Sequence, residues 1–221
     1  MEPDHEPDPN PRADPEIGPG AVELRVLGCL IEKQRTTPDV YPLSLNALRV
    51  ACNQSTNRDP VVDYDEATVT DALRRLALRG WTRLASGPGG RARKYRHLLD
   101  EALGLDSPEL SLIAVLMLRG SQTPGELKQR CERLHPFAGL PAVHEALDRL
   151  VERDLVARQP RRPGQKEERY EQLLGAEAEL RPPAAALPVD SEGRLERLER
   201  EVAELRDQVA RLRSALGDPP S

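Results

Sequence analysis

Apolar residues at Leu24, Leu27, Leu30 and Ile31 fall on one stripe of a helix running from Val22 to Gln34, and Thr36, Thr37 and Pro38 stop it. Ser44 is placed as the N-cap of a second helix, Leu45 to Cys52, because its hydroxyl can accept from a first-turn amide that lacks an intrahelical partner. Asp65 takes the same role for a third helix, in which Val69, Ala72, Leu73 and Leu76 line one face and Gly80 terminates. Two strands follow, Trp81 to Ala85 and Arg93 to His97. Between them Ser86, Gly87, Pro88, Gly89 and Gly90 permit positive φ and forbid helix.

The same plan is then written a second time. ALRRLALRG, from Ala72 to Gly80, aligns with ALDRLVERD, from Ala146 to Asp154, at an offset of 74 residues. Lys94 and Tyr95 align with Arg169 and Tyr170 at an offset of 75, and Leu98, Leu99 and Leu173, Leu174 follow at the same distance. Upstream, Thr37 and Pro38 align with Thr123 and Pro124 at an offset of 86, so the first copy carries about a dozen extra residues. They fall in the polar stretch Asn53 to Asp63 and around Asp39 to Leu43.

In the second copy Ser107 and Pro108 open a helix to Leu118 that Gly120 stops, and Pro124 starts the next helix, to Leu134. Pro141 opens the third, with Val143, Ala146, Leu147, Leu150 and Val151 inward. Leu155 to Gln159 and Glu168 to Gln172 form a hairpin around Pro160 to Gln165. Three helices followed by a β-wing is the winged-helix variant of helix-turn-helix. The expected fold is therefore mainly α with small β-wings: one winged-helix domain over residues 21–103 and a second over 104–174.

The flanks read differently. Residues 1–20 hold six prolines and almost nothing apolar, and cannot bury enough surface to order themselves. Residues 175–193, interrupted by Pro182, Pro183 and Pro188, read as a linker. Over residues 194–216, Leu195, Leu198, Val202, Leu205, Val209, Leu212 and Leu216 recur at alternating spacings of three and four, the a and d positions of a coiled coil. With Leu195 at a, Arg194 would face Glu199 of a parallel partner and Glu201 its Arg206, both attractive. A homodimer follows from that pattern; a helix packed back on the core, or against another protein's helix, fits the same spacing. Residues 217–221 are expected to be a disordered tail.

Charge changes the picture only when it is divided. The net charge of −5 resides in residues 1–20, whereas residues 21–174 hold 24 Lys and Arg against 21 Asp and Glu. The acidic total therefore does not exclude a nucleic-acid partner, although a strongly basic, phosphate-tracking domain is excluded. Cys29, Cys52 and Cys131 include no C-x-x-C pair and read as buried reduced thiols, which argues against a disulfide framework or a structural zinc site. No run approaches the roughly 18 to 20 apolar residues of a membrane span. No secretion signal opens the chain, and the expected location is the cytoplasm.

With these segments in place, GCLIEKQ (Gly28 to Gln34), TTPDVYPLSLNAL (Thr36 to Leu48), ACNQSTNRDPV (Ala51 to Val61) and RGSQTPGEL (Arg119 to Leu127) are similar to motifs of the YceH-like family. These are bacterial proteins of unassigned function. The likeness runs from about Ala21 to Leu174, and the C-terminal leucine repeat agrees with it. The resemblance implies the tandem winged-helix fold and implies no activity. The long N-terminal extension, rich in Pro and Asp, departs from the family pattern.

For DNA binding, the third helix of a winged helix enters the major groove and the wing contacts phosphate or the minor groove. On the first copy, Thr68, Arg74 and Arg75 face outward, although Asp71 is spaced to pair with Arg75. Arg83, Arg91, Arg93, Lys94 and Arg96 occupy the wing, with no acid between Trp81 and His97. A solvated, charged hairpin that resists edge aggregation would read the same way. In the inserted loop, Asn57 and Arg58 are candidates to reach bases or phosphate, with a bracing role as the competing reading. The second copy's third helix exposes His144, Glu145, Asp148, Arg149, Glu152 and Arg153, whose carboxylates would repel phosphate. It is expected to serve packing, dimerisation or protein contact.

No catalytic, metal or cofactor site is expected. His97, His135 and His144 lack metal-ligand spacing, and GPGGRARK (Gly87 to Lys94) lacks the G-K-[ST] of a phosphate loop. Two readings of function remain: a dimeric regulator or nucleoid-associated protein bound to double-stranded DNA, or a non-enzymatic scaffold that binds proteins.

Overall fold

The first half of the chain folds as helix α1 (Ala21–Thr36), a 3-10 turn (Pro38–Val40), strand β1 (Leu43–Ser44), helices α2 (Leu45–Cys52) and α3 (Glu66–Leu78), and strands β2 (Thr82–Leu84) and β3 (Lys94–His97). A short helix, α4 (Leu99–Leu103), leads to the second half: α5 (Ser107–Arg119), α6 (Pro124–Cys131), α7 (Leu140–Glu152), β4 (Val156–Gln159) and β5 (Arg169–Gln172). The computed structural model describes residues 18–85, 93–161 and 167–175. Residues 1–17 of the N-terminal tail expected over 1–20, the two hairpin tips with Arg91, the linker beyond 175, the leucine positions of the coiled coil and the C-terminal tail lie outside the described residues.

The result is mainly helical, with small antiparallel sheets. In the first, β3 lies between β1 and β2, with Leu43 opposite Tyr95 and Arg83 opposite Arg96. The second is the hairpin β4–β5, extended by an isolated bridge in which Gln122 and Tyr170 exchange both backbone hydrogen bonds. Gln122 precedes α6 much as β1 precedes α2, so the repeat extends to the third strand position.

Caps account for the helix starts. Ser44 Oγ accepts from Ala47 N and Asp65 Oδ1 from Thr68 N, as the sequence predicts. Helix α5 opens at Ser107 as expected, and the preceding Asp106 caps it: its carboxylate accepts from Glu109 N while the Glu109 carboxylate accepts from the Asp106 N–H. Helix α6 ends at Cys131, short of Leu134; His135 precedes Pro136, which disfavours a helical conformation there. Val151 is half-buried. β1 and α4 are elements that the hydrophobic pattern does not show, being too short to display a period; Gly104 closes α4 at φ 59°, in the left-handed region.

Two helices form the centre. Every residue from Glu23 to Ile31 of α1 and from Glu109 to Leu118 of α5 is buried. A helix enclosed on all sides is an interior helix, and these two enclose each other. Gly28 makes that possible: a Cβ on it would stand 3.0 Å from Leu118 Cγ and Cδ2 and 3.2 Å from Met117 Cβ. The two halves therefore share one hydrophobic core.

The repeat is also electrostatic. Glu23, near the start of α1, is buried and lies 3.6 Å from Arg75 of α3; Glu109, near the start of α5, is buried and lies 3.1 Å from Arg149 of α7. In each half a carboxylate near the positive end of the first helix is covered by an arginine from the third.

Candidate nucleic-acid interface

The candidate surface is built from α3 and the β2–β3 hairpin. Helix α3 turns Val69, Ala72, Leu73 and Leu76 into the core and leaves Glu66, Thr70, Asp71, Arg74 and Leu78 exposed. Strand β2 is anchored to it by Thr82, which is buried and whose hydroxyl donates to Leu73 O at 3.3 Å. The hairpin cations are thereby carried on an element tied to α3.

The named residues do not share one condition. Arg83 and Arg93 are exposed and have no carboxylate partner among the described residues. Lys94 is exposed as well, with an interaction of its own. Arg83 stands directly across from Arg96, and like charges at opposed positions destabilise a strand pair unless something neutralises them. For Arg96 that something is internal: its Nη2 lies 2.6 Å from Glu101 Oε1, on α4. The acid-free composition of the hairpin conceals this partner, which arrives from the following helix.

On α3, Arg74 keeps an exposed guanidinium with Asp71 at 3.7 Å. Asp71 thus pairs with Arg74, three residues on, and Arg75 turns to the buried Glu23. Thr68 is half-buried, and its amide and hydroxyl both bond to the capping Asp65, holding that carboxyl below the usual carboxylate range. Its hydroxyl is engaged in the cap, so of the three helix candidates Arg74 is the one most open to a ligand.

The inserted loop resolves into a brace. Arg58 is buried, and each of its five N–H groups is used: Nε donates to Ala51 O, Nη1 to Glu32 Oε1 and Asn57 O, and Nη2 to Glu32 Oε2 and Gln54 Oε1. Burial, the largest single influence, opposes its charge, but its hydrogen bonds to Glu32 together with the neighbouring Glu32 and cysteine groups outweigh it and hold the guanidinium above its ordinary pKa. It has no donor left for a phosphate. Asn57, at φ 59°, accepts from Arg119 of α5, and Asp59 N donates to Leu118 O at 2.9 Å, so this loop fastens the first half to the second.

In the second half the outward arginines of α7 are drawn back onto the fold. Arg149 reaches Asp106, Glu109 and Glu145, and Arg153 donates to Leu103 O and pairs with Glu109. Asp148 pairs with Arg158 at 3.2 Å. The outer face of α7 is left without a free arginine among these, and Glu145 and Glu152 are exposed.

Cys29, Cys52 and Cys131 are free and buried. Among the described residues no cluster of three His, Cys, Asp or Glu side chains could hold a metal ion, and no helix is long and apolar enough to cross a membrane.

Comparison with known proteins agrees with the motif likeness at the level of the family. A "UPF0502 protein" of Geotalea daltonii is 55% identical over 189 residues, covering 81% of this chain and 86% of that protein. One from Pelobacter propionicus is 50% identical over 209 residues, 89% and 94% of the two chains, and one from Geobacter metallireducens is 50% identical over 192 residues, 82% and 87%. Residues 20–165 match the family described as "Protein of unknown function, DUF480". That span takes in α1 to β4, including the α1–α5 seam and the inserted loop. The chain belongs to this DUF480 (UPF0502) family of bacterial proteins.

Proposed function

We propose that the protein is a non-enzymatic, dimeric DNA-binding regulator or nucleoid-associated protein of the bacterial cytoplasm, built of two winged helices of the YceH-like type. It contacts duplex DNA with α3 and the β2–β3 hairpin. The order α1, β1, α2, α3, β2, β3, with β3 central in its sheet, supports the winged-helix reading of the first half. The single observation that carries the function is the hairpin: Arg83 and Arg93 are exposed without a carboxylate partner among the described residues, and Arg83 opposes Arg96. A polyanion would neutralise Arg83 and Arg93, which, unlike Arg96 with its Glu101, have no carboxylate of their own among the described residues.

The test is a fluorescence titration with duplex DNA at low and moderate salt. Each phosphate contact contributes about 0.9 to the slope of log K against log salt, so replacing Arg83 and Arg93 by Ala should reduce the slope by about 2 and weaken binding at low salt at least fivefold. Both side chains are exposed, so the variant keeps its fold. Absence of binding at low salt, or equal binding by the variant, removes the proposal. The leucine repeat supplies the dimer in this reading: the full chain should sediment as a dimer, and a chain ending at Gly175 as a weaker associator.

A second reading is favoured by α7. Its arginines are occupied by Asp106, Glu109 and Glu145, leaving an acidic exterior suited to a protein partner. A chain that ignores DNA but retains a protein from cell extract after nuclease treatment would fit that scaffold.

A further inference from the structure

A cleft of about 520 Å³ opens where the end of α1, the inserted loop, the end of α5 and α6 meet. Both halves of the chain contribute to it. Its charged lining is Lys33 from α1, Arg119 from α5, Arg130 from α6 and Arg133 just beyond, with Glu32 as the one carboxylate. Glu32 is held by the buried Arg58 guanidinium at 2.6 Å and lies 3.6 Å from Lys33 Nζ, which also donates to Gln54 Oε1. Arg130 has Glu126 only at 3.9 Å, and Arg133 is exposed with no carboxylate partner among the described residues.

Cations at helix C-termini are ordinary, since they complement the negative end of the helix dipole. That explains each of these residues singly and not their convergence, because a capping side chain can equally turn to open solvent. Here the cations crowd one another: burial, then the neighbouring Arg130 and Arg58, disfavour the charged form of Arg119. An anion relieves such repulsion. A neighbouring hollow that shares Arg119 and Arg130 is lined by Ser121, whose buried hydroxyl has no partner, and by the carboxylates of Asp59 and Glu126, the latter paired with Arg169 at 2.8 Å. A concave site that presents guanidinium forks suits compact phosphoryl groups, which accept paired hydrogen bonds. A rigid, convex duplex does not enter it.

We propose that this inter-half cleft binds a small-molecule polyanion carrying two or more phosphoryl groups. Arg119, Arg130, Arg133 and Lys33 bind the phosphoryl oxygens. The inference does not rest on DNA binding by α3 and the hairpin, which uses other residues.

The experiment is calorimetric titration of the full chain with inorganic pyrophosphate and tripolyphosphate, beside sulfate at equal ionic strength. Pyrophosphate or tripolyphosphate should bind with one site per chain and at least tenfold more tightly than sulfate. The double variant Lys33→Gln, Arg133→Gln alters two side chains at the rim and should lose at least tenfold in affinity while its unliganded melting temperature is retained. DNA affinity of the same variant should not change. Failure of both polyphosphates to bind at millimolar concentration overturns the proposal, as does affinity that the variant leaves intact. Displacement of pyrophosphate by a short single-stranded oligonucleotide, with loss of oligonucleotide binding in the variant, would make the cleft a strand track and likewise overturn it. Loss of DNA binding on Arg83→Ala, Arg93→Ala alone bears on the hairpin and leaves this cleft untouched.

Discussion

His97 is enclosed beneath the first sheet, its Nε2 2.6 Å from Gln34 Oε1 and its backbone N–H donating to the Tyr41 hydroxyl. Burial, opposed only in part by Asp100 at 3.5 Å, pushes its pKa down to about 4. The unfolded chain takes up a proton near pH 6.5 that the folded chain refuses until about pH 4. Stability is therefore retained above pH 6.5 and lost as the pH falls toward 4. Urea midpoints measured between pH 7 and pH 4.5 should fall, and His97→Gln should remove part of that fall, on the order of 2 kcal/mol at the acid end. A pH profile identical to that of the native chain would show that His97 is not the group responsible. Arg58 illustrates the opposite limit of reading at this scale. Its neighbours Asn57 and Asp59 mark it as a loop residue, yet Glu32, 26 positions earlier, is what draws it inside. Nothing local in the chain announces that pairing.

At the scale of elements, caps and stripes were legible because they depend on spacing within a few residues. The starts at Ser44 and Asp65, the inward set Val143, Ala146, Leu147 and Leu150, and the pairing of the two hairpins all follow from local periodicity and turn chemistry. The packing of α1 on α5 did not, since Leu24, Leu27, Leu30 and Ile31 suggest a one-faced helix, whereas Gly28 lies against Met117 and Leu118 of the other half and Arg25 is held by Cys52 O and Pro60 O. Gly28 marks the closest approach. Gly28→Ala should destabilise the protein by about 1 to 3 kcal/mol, because the added methyl meets Leu118 at 3.0 Å and Met117 Cβ at 3.2 Å, inside a packed core. Chemical denaturation checks this, and a neutral or stabilising result would show that the two helices can separate without loss. The same substitution at Gly125, where the nearest atoms stand 3.9 Å away, serves as the control.

At the scale of the whole molecule, α1 and α5 bind the two halves into one core. A fragment ending at Leu103 would leave the face of α1 that meets Met117 and Leu118 in water, and would also release Asp59 from Leu118. It should show no cooperative thermal transition, whereas residues 18–175 should unfold in one step; calorimetry distinguishes the two. A cooperative transition in the short fragment would mean that the first half is an independent domain after all. The seam also creates the inter-half cleft, whose cations come from positions 33, 119, 130 and 133 and share no spacing that a motif could express.

The linear order of residues was enough to determine the repeated order of helices and strands, their types and most helix starts, because each follows from contacts or caps within one or two turns of chain. Only the tertiary structure decided that the two copies share a core, that Arg58, Arg75 and Arg96 answer to Glu32, Glu23 and Glu101, and that four cations converge on one hollow. Those outcomes depend on which faces meet across 5 to 100 residues of chain, and a charge's availability is set by its neighbours in space, which periodicity does not encode.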